Sequence, residues 1–312
     1  MGTMADLRFG VLDFSYAGFT HFASRLAVEG CYDVNLGDYI QSRAVREALL
    51  AIGVAEDQIV YVDRDDLSTY AGEPVLLVMN GVFYPRCFPL SPHIVPVWFG
   101  FSFSDANLLP GESTADYRDA LARLEVRYPV GCRDVATMRA LQAAGHPAYL
   151  SGCLSSTLRP VPADRTYRRG LVCGLDDEHL ASALAAEGLI SLPDQRWVVG
   201  EHPLGTAARA ACRRAAGALL AFYADHAGYV VTSLMHCALP CAAMGIPTVV
   251  VRRDPNNYRF DMVHALLAVH DASHAWDTAG LWRQARTIDV RDLVLPALRD
   301  AVDMAVRTHG QV

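Results

Sequence analysis

Lysine is missing from this chain. All 27 basic residues among its 312 are arginine, set against 34 acidic ones, for a net charge of -7. Without lysine there is no Schiff-base amine, so lysine-anchored pyridoxal phosphate and imine-type aldol chemistry are excluded. A P-loop is excluded for the same reason, and so is a lysine general base. Any anion met by a cationic side chain must meet arginine or histidine. A codon bias towards arginine accounts for the composition without any functional cause, and the exclusions hold either way.

Other absences narrow the classes further. No run of about 18 uncharged apolar residues occurs, so no integral membrane span is expected. The N-terminal stretch MGTMADLRFGVLDF lacks the basic start and long apolar core of a secretory signal, and Asp6 stands where a myristoylation motif needs Ser or Thr. The eight cysteines are scattered, with no C-x-x-C pair, and read as reduced, buried small residues of a cytoplasmic protein. Cys237 and Cys241 follow His236 but have no further ligands at metal spacing, so no metal site is expected. No G-x-S-x-G elbow or internal repeat is present. The acidic balance argues against nucleic acid as a partner.

What is present is a core-forming composition, 52% hydrophobic and 20% charged, of a length that suits two domains at roughly 150 residues each. Apolar strand-like runs at 7–14, 58–63, 74–81, 93–104 and 148–152 alternate with helical patterns at 41–53, 116–129 and 134–145. Asp134 and Gly145 bound the last of these as cap and stop. Residues 159–169, RPVPADRTYRR, read as an interdomain linker. The alternation then restarts. Strands are expected at 170–175, 196–202, 229–233 and 247–253, and helices at 177–188, 206–228, 236–245, 259–270 and 292–310. Such alternation implies two α/β units with parallel sheets, and ligands beyond the carboxyl ends of the strands.

Four segments carry candidate chemistry. In NLGDYIQ (35–41), Asn35, Gly37 and Asp38 form a turn leading into a helix that starts near Gln41; it suits a polar ligand, or serves as an ordinary turn and cap. In PVGCRD (129–134), Arg133 offers a planar fork to a carboxylate or phosphate, or pairs with a surface acid. In YLSGCLSST (149–157), Ser151 and Ser155 belong to a cluster of hydroxyls after a Gly turn, which equally serves the turn's own backbone. In the stretch 229–253, a buried strand ends at Thr232–Ser233 and His236 opens the next helix. The helix dipole there favours a neutral imidazole fit for acid–base work, or for a structural hydrogen bond. His264 and His270 are placed on one helix face, and His226 at a helix end.

Taken in order, these segments resemble the polysaccharide pyruvyl transferase family. The resemblance runs through NLGDYIQS (35–42), VYVDRDDL (60–67), LLVMNGVF (76–83), PVGCRD, SGCLSSTL (151–158), VVTSLMHCALPCAAMGIPTVVV (230–251) and RFDM (259–262). It implies two Rossmann-like domains facing a cleft, as in GT-B glycosyltransferases, with a C-terminal helix crossing back. The corresponding boundaries are 1–160 for the acceptor side, 161–285 for the donor side and 286–312 for the returning helix. It also implies transfer of a pyruvyl group from phosphoenolpyruvate to hydroxyls of a small or carrier-linked glycosyl acceptor in polysaccharide biosynthesis, giving a ketal with no metal or organic cofactor. A homo-oligomer is compatible with this reading.

His236 matches the acid/base histidine of the family's S-R-L-H motif, whereas its arginine is Leu234 here. Ser102 stands where related short members carry histidine, and SSTL replaces a threonine-rich segment. The expected donor-side residues are therefore Arg133, Ser233, Arg252, Arg253 and Arg259. The acceptor side is expected to hold Asn35, Gly37, Asp38, Gln41, Ser151 and Ser155. Leu234 keeps two alternatives open: the same fold with another donor such as a nucleotide sugar, or a non-catalytic binding protein on a decayed scaffold.

Overall fold

The computed structural model describes residues 7–160, 169–274 and 276–309. The first stretch runs β1 (Arg8–Asp13), α1 (Thr20–Glu29), β2 (Tyr32–Asn35), α2 (Leu36–Ala51), β3 (Ile59–Asp63), β4 (Val75–Val78), β5 (Gly81–Val82), β6 (Ile94–Val97), β7 (Phe101–Ser102), α3 (Thr114–Ala122), β8 (Val130–Cys132), α4 (Val135–Ala143) and β9 (Ala148–Leu150). The rest runs β10 (Arg169–Cys173), α5 (Glu178–Ala186), β11 (Ile190–Leu192), β12 (Arg196–Val199), α6 (Thr206–His226), β13 (Ala227–Thr232), α7 (Met235–Ala243), β14 (Thr248–Arg252), α8 (Asp261–Leu266), β15 (Val269–Asp271), α9 (Thr278–Gln284) and α10 (Arg291–His309). Most of the 159–169 segment expected as a linker, residues 161–168, lies outside the described residues.

The chain is an α/β protein with several parallel sheets. One has the order β3-β1-β4-β6 and another β5-β7-β8-β9. Backbone hydrogen bonds from Met79 N–H to the Val97 carbonyl and from Gly81 N–H to the Gly100 carbonyl carry the pairing from the first into the second. A third parallel sheet has the order β11-β10-β13-β14-β15. Strands β4, β13 and most of β14 are buried along their length, as expected for parallel strands covered on both faces. In the first and third sheets the strand order reverses beside the first strand, at β1/β4 and β10/β13. Loops leaving those strands are where such sheets place ligands.

Several expectations change in three dimensions. The strand expected over 93–104 is two strands, and the break falls at Trp98–Gly100, not at Pro96. Pro96 pairs in register with Leu77 on the outer strand of its sheet, where a missing N–H is tolerated. Gly100 adopts φ +74°, and the Asn80 side chain fills the space a Cβ would need there. The helix expected over 259–270 ends at Leu266, because 269–271 pair with β14 as β15. His264 is therefore helical and His270 lies in a strand. The strand at 196–199 joins no parallel sheet and runs antiparallel to β2. Helices α1 and α9 and strands β2 and β11 had no counterpart in the sequence pattern.

The two stretches of chain are tied together. Helix α6 packs on α2, and α10 lies against β4 and β6. At the carboxyl ends of β1 and β3, Asp13 and Asp63 receive arginines from α6: Arg213 Nη1 lies 2.6 Å from Asp13 and Arg209 Nη1 lies 2.9 Å from Asp63. Both carboxylates are nearly buried, and the arginines are about a fifth exposed. Removing one partner from a fully buried pair costs roughly 3–5 kcal/mol. Partial exposure of the arginines reduces this, so Asp13→Ala is expected to lower stability by about 2 kcal/mol or more. Urea unfolding measures it, and an unchanged midpoint would contradict the role given to this ion cluster.

Candidate functional site

The site grows from the first turn of α2. Asn35 has extended backbone, and its Oδ1 accepts the Gly37 N–H at 2.9 Å, so the helix begins at Leu36 and not near Gln41. This places Gly37, Asp38 and Gln41 on successive turns of one helix. Gly37 is required by contact: a Cβ there would lie 2.9 Å from His236 Nδ1 and 2.9 Å from Asn35 Oδ1. The imidazole thus rests on a glycine of α2. Gly37→Ala is expected to displace the ring, and misplacement on the scale of 1 Å costs about 100-fold in rate. A variant with full activity would show that the close packing is not needed.

His236 is the second residue of α7 and is buried. Gln195 Nε2 donates to its backbone carbonyl at 3.1 Å, and also to the Tyr223 hydroxyl at 3.0 Å. Its ring Nε2 is buried and has no hydrogen-bond partner among the described residues. Burial, reinforced by Arg133 and then Arg259, holds the imidazole pKa well below its ordinary value. His236 is therefore neutral near pH 7, with one ring nitrogen packed against Gly37 and the other uncommitted.

Arg133 follows β8 and is fully buried. Its Nη1 donates to Gln41 Oε1 at 3.0 Å, while Nε and Nη2 have no partner among the described residues. Burial, joined by repulsion from Arg259, pulls its pKa down. Gln41 Nε2 in turn faces Asp38 Oδ1 at 3.4 Å, and Asp38 Oδ2 accepts from the Tyr16 hydroxyl at 3.0 Å. Tyr16 has φ +57°, a left-handed conformation disfavoured for a bulky residue. Strain of this kind persists only where surrounding contacts impose it. Here His202 Nε2 contacts the Tyr16 carbonyl at 2.8 Å.

The twelve anticipated residues divide clearly. His236, Gly37, Arg133, Gln41, Asp38 and Arg259 come together. Arg259 is exposed and close enough to lower both His236 and Arg133 electrostatically. Arg252 Nη1 donates to the Ser233 carbonyl at 2.6 Å, just before α7, and its guanidinium lies 4.1 Å from the Phe260 ring centroid. Arg253 turns away, pairing with Asp177 at 3.2 Å. Ser233 Oγ is committed to Asp176 and the Val251 carbonyl. Asn35 serves as the cap. Ser151 Oγ bridges Gly100 N–H and the Cys132 carbonyl, and Ser155 is fully buried against Cys153 Sγ. These two hydroxyls hold the turn that seats Leu154 on Asn80. Ser102, at the position noted for its departure, donates to Asp134 at 2.6 Å.

Leu234 packs against Gly174, which has φ +54°. Tyr16, Gln195 and Arg64 belong to the same neighbourhood and were not singled out in sequence. Arg64 alone left a signal, as the residue after a strand's carboxyl end. A cavity of about 610 Å³ lined by Ile94, Trp98, Leu124 and Tyr128 contains none of the twelve. Among the described residues, no group of three or more His, Cys, Asp or Glu side chains could hold a metal, and no helix is long and apolar enough to cross a membrane.

Parallel α/β sheets thus bring a buried histidine and a buried arginine, His236 and Arg133, to their strand ends. A model of the polysaccharide pyruvyl transferase family matches residues 35–255, and the chain belongs to that family. It is a transferase of the pyruvyltransferase type. No curated protein matches the chain. A solved structure of an uncharacterised protein from Klebsiella pneumoniae aligns at 12% identity and a TM-score of 0.40, over 82% of this chain and 88% of that one, a likeness that carries no argument.

Proposed function

We propose that this protein transfers a pyruvyl group from phosphoenolpyruvate to hydroxyls of a glycosyl acceptor, forming a ketal, with His236 as acid and base. The observation that carries the reading is the uncommitted His236 Nε2, buried beside Arg133, whose Nε and Nη2 are equally uncommitted. These groups lie on segments within the family match. Buried donors are normally paired, so unmade bonds on adjacent cationic and imidazole groups suit an anionic ligand.

The electrostatics supply the proton. Burial first, and then Arg133 and Arg259, hold His236 neutral. A bound phosphate and carboxylate offset those two charges and raise the proton affinity of the imidazole. Protonated His236 then gives its proton to the methylene carbon, and an acceptor hydroxyl adds to C2 while its own proton returns to the imidazole. The C2–O bond to phosphate breaks, a second hydroxyl of the acceptor adds to C2, and phosphate departs with the remaining proton. The open first turn of α7 adds helix-dipole stabilisation for the anion. Asp38 and Gln41 would meet the acceptor, with Arg133 and Arg259 on the donor.

We also infer a GT-B-like arrangement, with units at 1–160 and 161–285 and the segment 286–312 returning to the first. The packing of α10 on β4 and β6 supports it. All eight cysteines are unpaired, which supports a cytoplasmic setting. Incubation with phosphoenolpyruvate and a panel of sugars should release phosphate. If phosphoenolpyruvate neither binds nor shifts the melting temperature, the donor assignment is wrong. Leu234 favours one alternative, a nucleotide sugar donor, because it places an apolar side chain where the family motif has arginine. Thermal shift with nucleotide diphosphates distinguishes the two.

A further inference from the structure

Arg64 directly follows β3 and is among the largest fully buried side chains. Its guanidinium carbon lies 4.8 Å from the Phe14 ring centroid, 4.9 Å from Tyr84, 5.3 Å from Phe19 and 5.9 Å from Tyr16. Its Nη1 reaches the Val82 carbonyl at 3.5 Å, the outer limit of a hydrogen bond. Its Nε and Nη2 have no partner, and no carboxylate forms an ion pair with it, among the described residues. Aromatic faces stabilise the charge but leave the in-plane N–H groups unsatisfied.

Position supplies the second argument. Arg64 lies within the electrostatic field of Tyr84, of the neighbouring buried carboxylate of Asp65 and of Asp38. Tyr84 also feels Arg259, and Asp38 also acts on Arg133. The strained Tyr16 joins the two sides, with its ring on Arg64 and its hydroxyl on Asp38. Arg64 thus extends the Arg133–Arg259 cluster around Asp38.

We propose that Arg64 is a second buried anion-binding residue of the candidate site and takes a phosphate or carboxylate group of a substrate. It supplies a cationic contact that Leu234 cannot make. The inference rests on the transferase site proposed above, but not on phosphoenolpyruvate being the donor. The anion belongs to the donor, or to a phosphate-bearing acceptor or nucleotide.

Arg64→Met keeps the apolar stem, and Arg64→Lys keeps the charge while losing the fork. Binding of phosphoenolpyruvate, inorganic phosphate and uridine diphosphate is measured by calorimetry, alongside melting temperature without ligand. The expected result is that Arg64→Met binds the recognised anion at least about tenfold more weakly than wild type, with Arg64→Lys between them. Weakened binding of phosphoenolpyruvate assigns the anion to the donor. Weakened binding of uridine diphosphate, with phosphoenolpyruvate ignored by wild type, upholds Arg64 while overturning the pyruvyl donor. Two results overturn the inference. In one, phosphoenolpyruvate binds wild type and both variants equally, which leaves the pyruvyl reading intact and makes Arg64 a prop for the aromatic rings. In the other, none of the three anions binds wild type. Should Arg64→Met fail to fold, undiminished binding by Arg64→Lys overturns it as well.

Discussion

Replacing His236 with glutamine should lower phosphate release from phosphoenolpyruvate by about 100- to 10,000-fold, the usual contribution of a positioned acid–base group. Glutamine fits the volume and can still donate a hydrogen bond, so loss of proton transfer is separated from collapse of the packing on Gly37. A second readout comes from acid. The folded protein holds the His236 pKa below the unfolded value of about 6.5, so below that pH the unfolded chain takes up a proton that the native site refuses. Stability from this group is fully present above about pH 6.5 and is lost as pH falls towards the depressed folded value. His236→Gln removes that contribution, and the variant should lose less stability than wild type between neutrality and mild acid. Equal rates for the two proteins would remove His236 from the chemistry. Identical acid profiles would show that its burial is relieved by some other route.

Replacing Arg133 with methionine should weaken binding of the anionic donor by at least about 30-fold, because truncating one side of a buried charge pair costs 2–5 kcal/mol in a complex. The unliganded protein should behave in the opposite sense. Arg133 is buried, bonded to a neutral amide, and pairs with no carboxylate among the described residues. Methionine spares the folded state that desolvation. An unchanged or higher melting temperature together with lost donor affinity marks a group held for function at the expense of stability. A lower melting temperature with intact affinity would make Arg133 a structural tie to Gln41. Relief of Arg133's charge should also raise the His236 pKa, since Arg133 is the larger of its two arginine perturbers.

Much of this was written locally. The strands β1, β10, β13 and β14 announce themselves as short apolar runs, because parallel strands buried on both faces need no alternation. Asp134 caps α4 by accepting the Thr137 N–H, and Gly145 ends the following turn with φ +85°, as their residue types dictate. Other elements depend on partners far away in the chain. Strand β2 is four residues long and exists through its pairing with β12, more than 160 positions on. Residues 269–271 continue a helical pattern in sequence and become a strand because β14 offers an open edge. Asn35 capped α2 one turn earlier than its sequence suggested, and that turn brought Gly37 under His236.

The same division runs through the candidate site. Sequence alone determined that cationic side chains here must be arginine or histidine, and that His236 opens a helix after a buried strand. It determined these because they are properties of residue type and of neighbours within a few positions. Only the tertiary structure decided which arginines converge. Arg252 and Arg253 are adjacent in the chain, yet one meets the end of β13 and the other pairs with Asp177 on the rim of α5. Arg64, Arg133 and Arg259 are widely separated in sequence, and two of them are buried without a carboxylate partner among the described residues. Burial and unmade hydrogen bonds arise when segments far apart in the chain pack together, and no local pattern of residues encodes them.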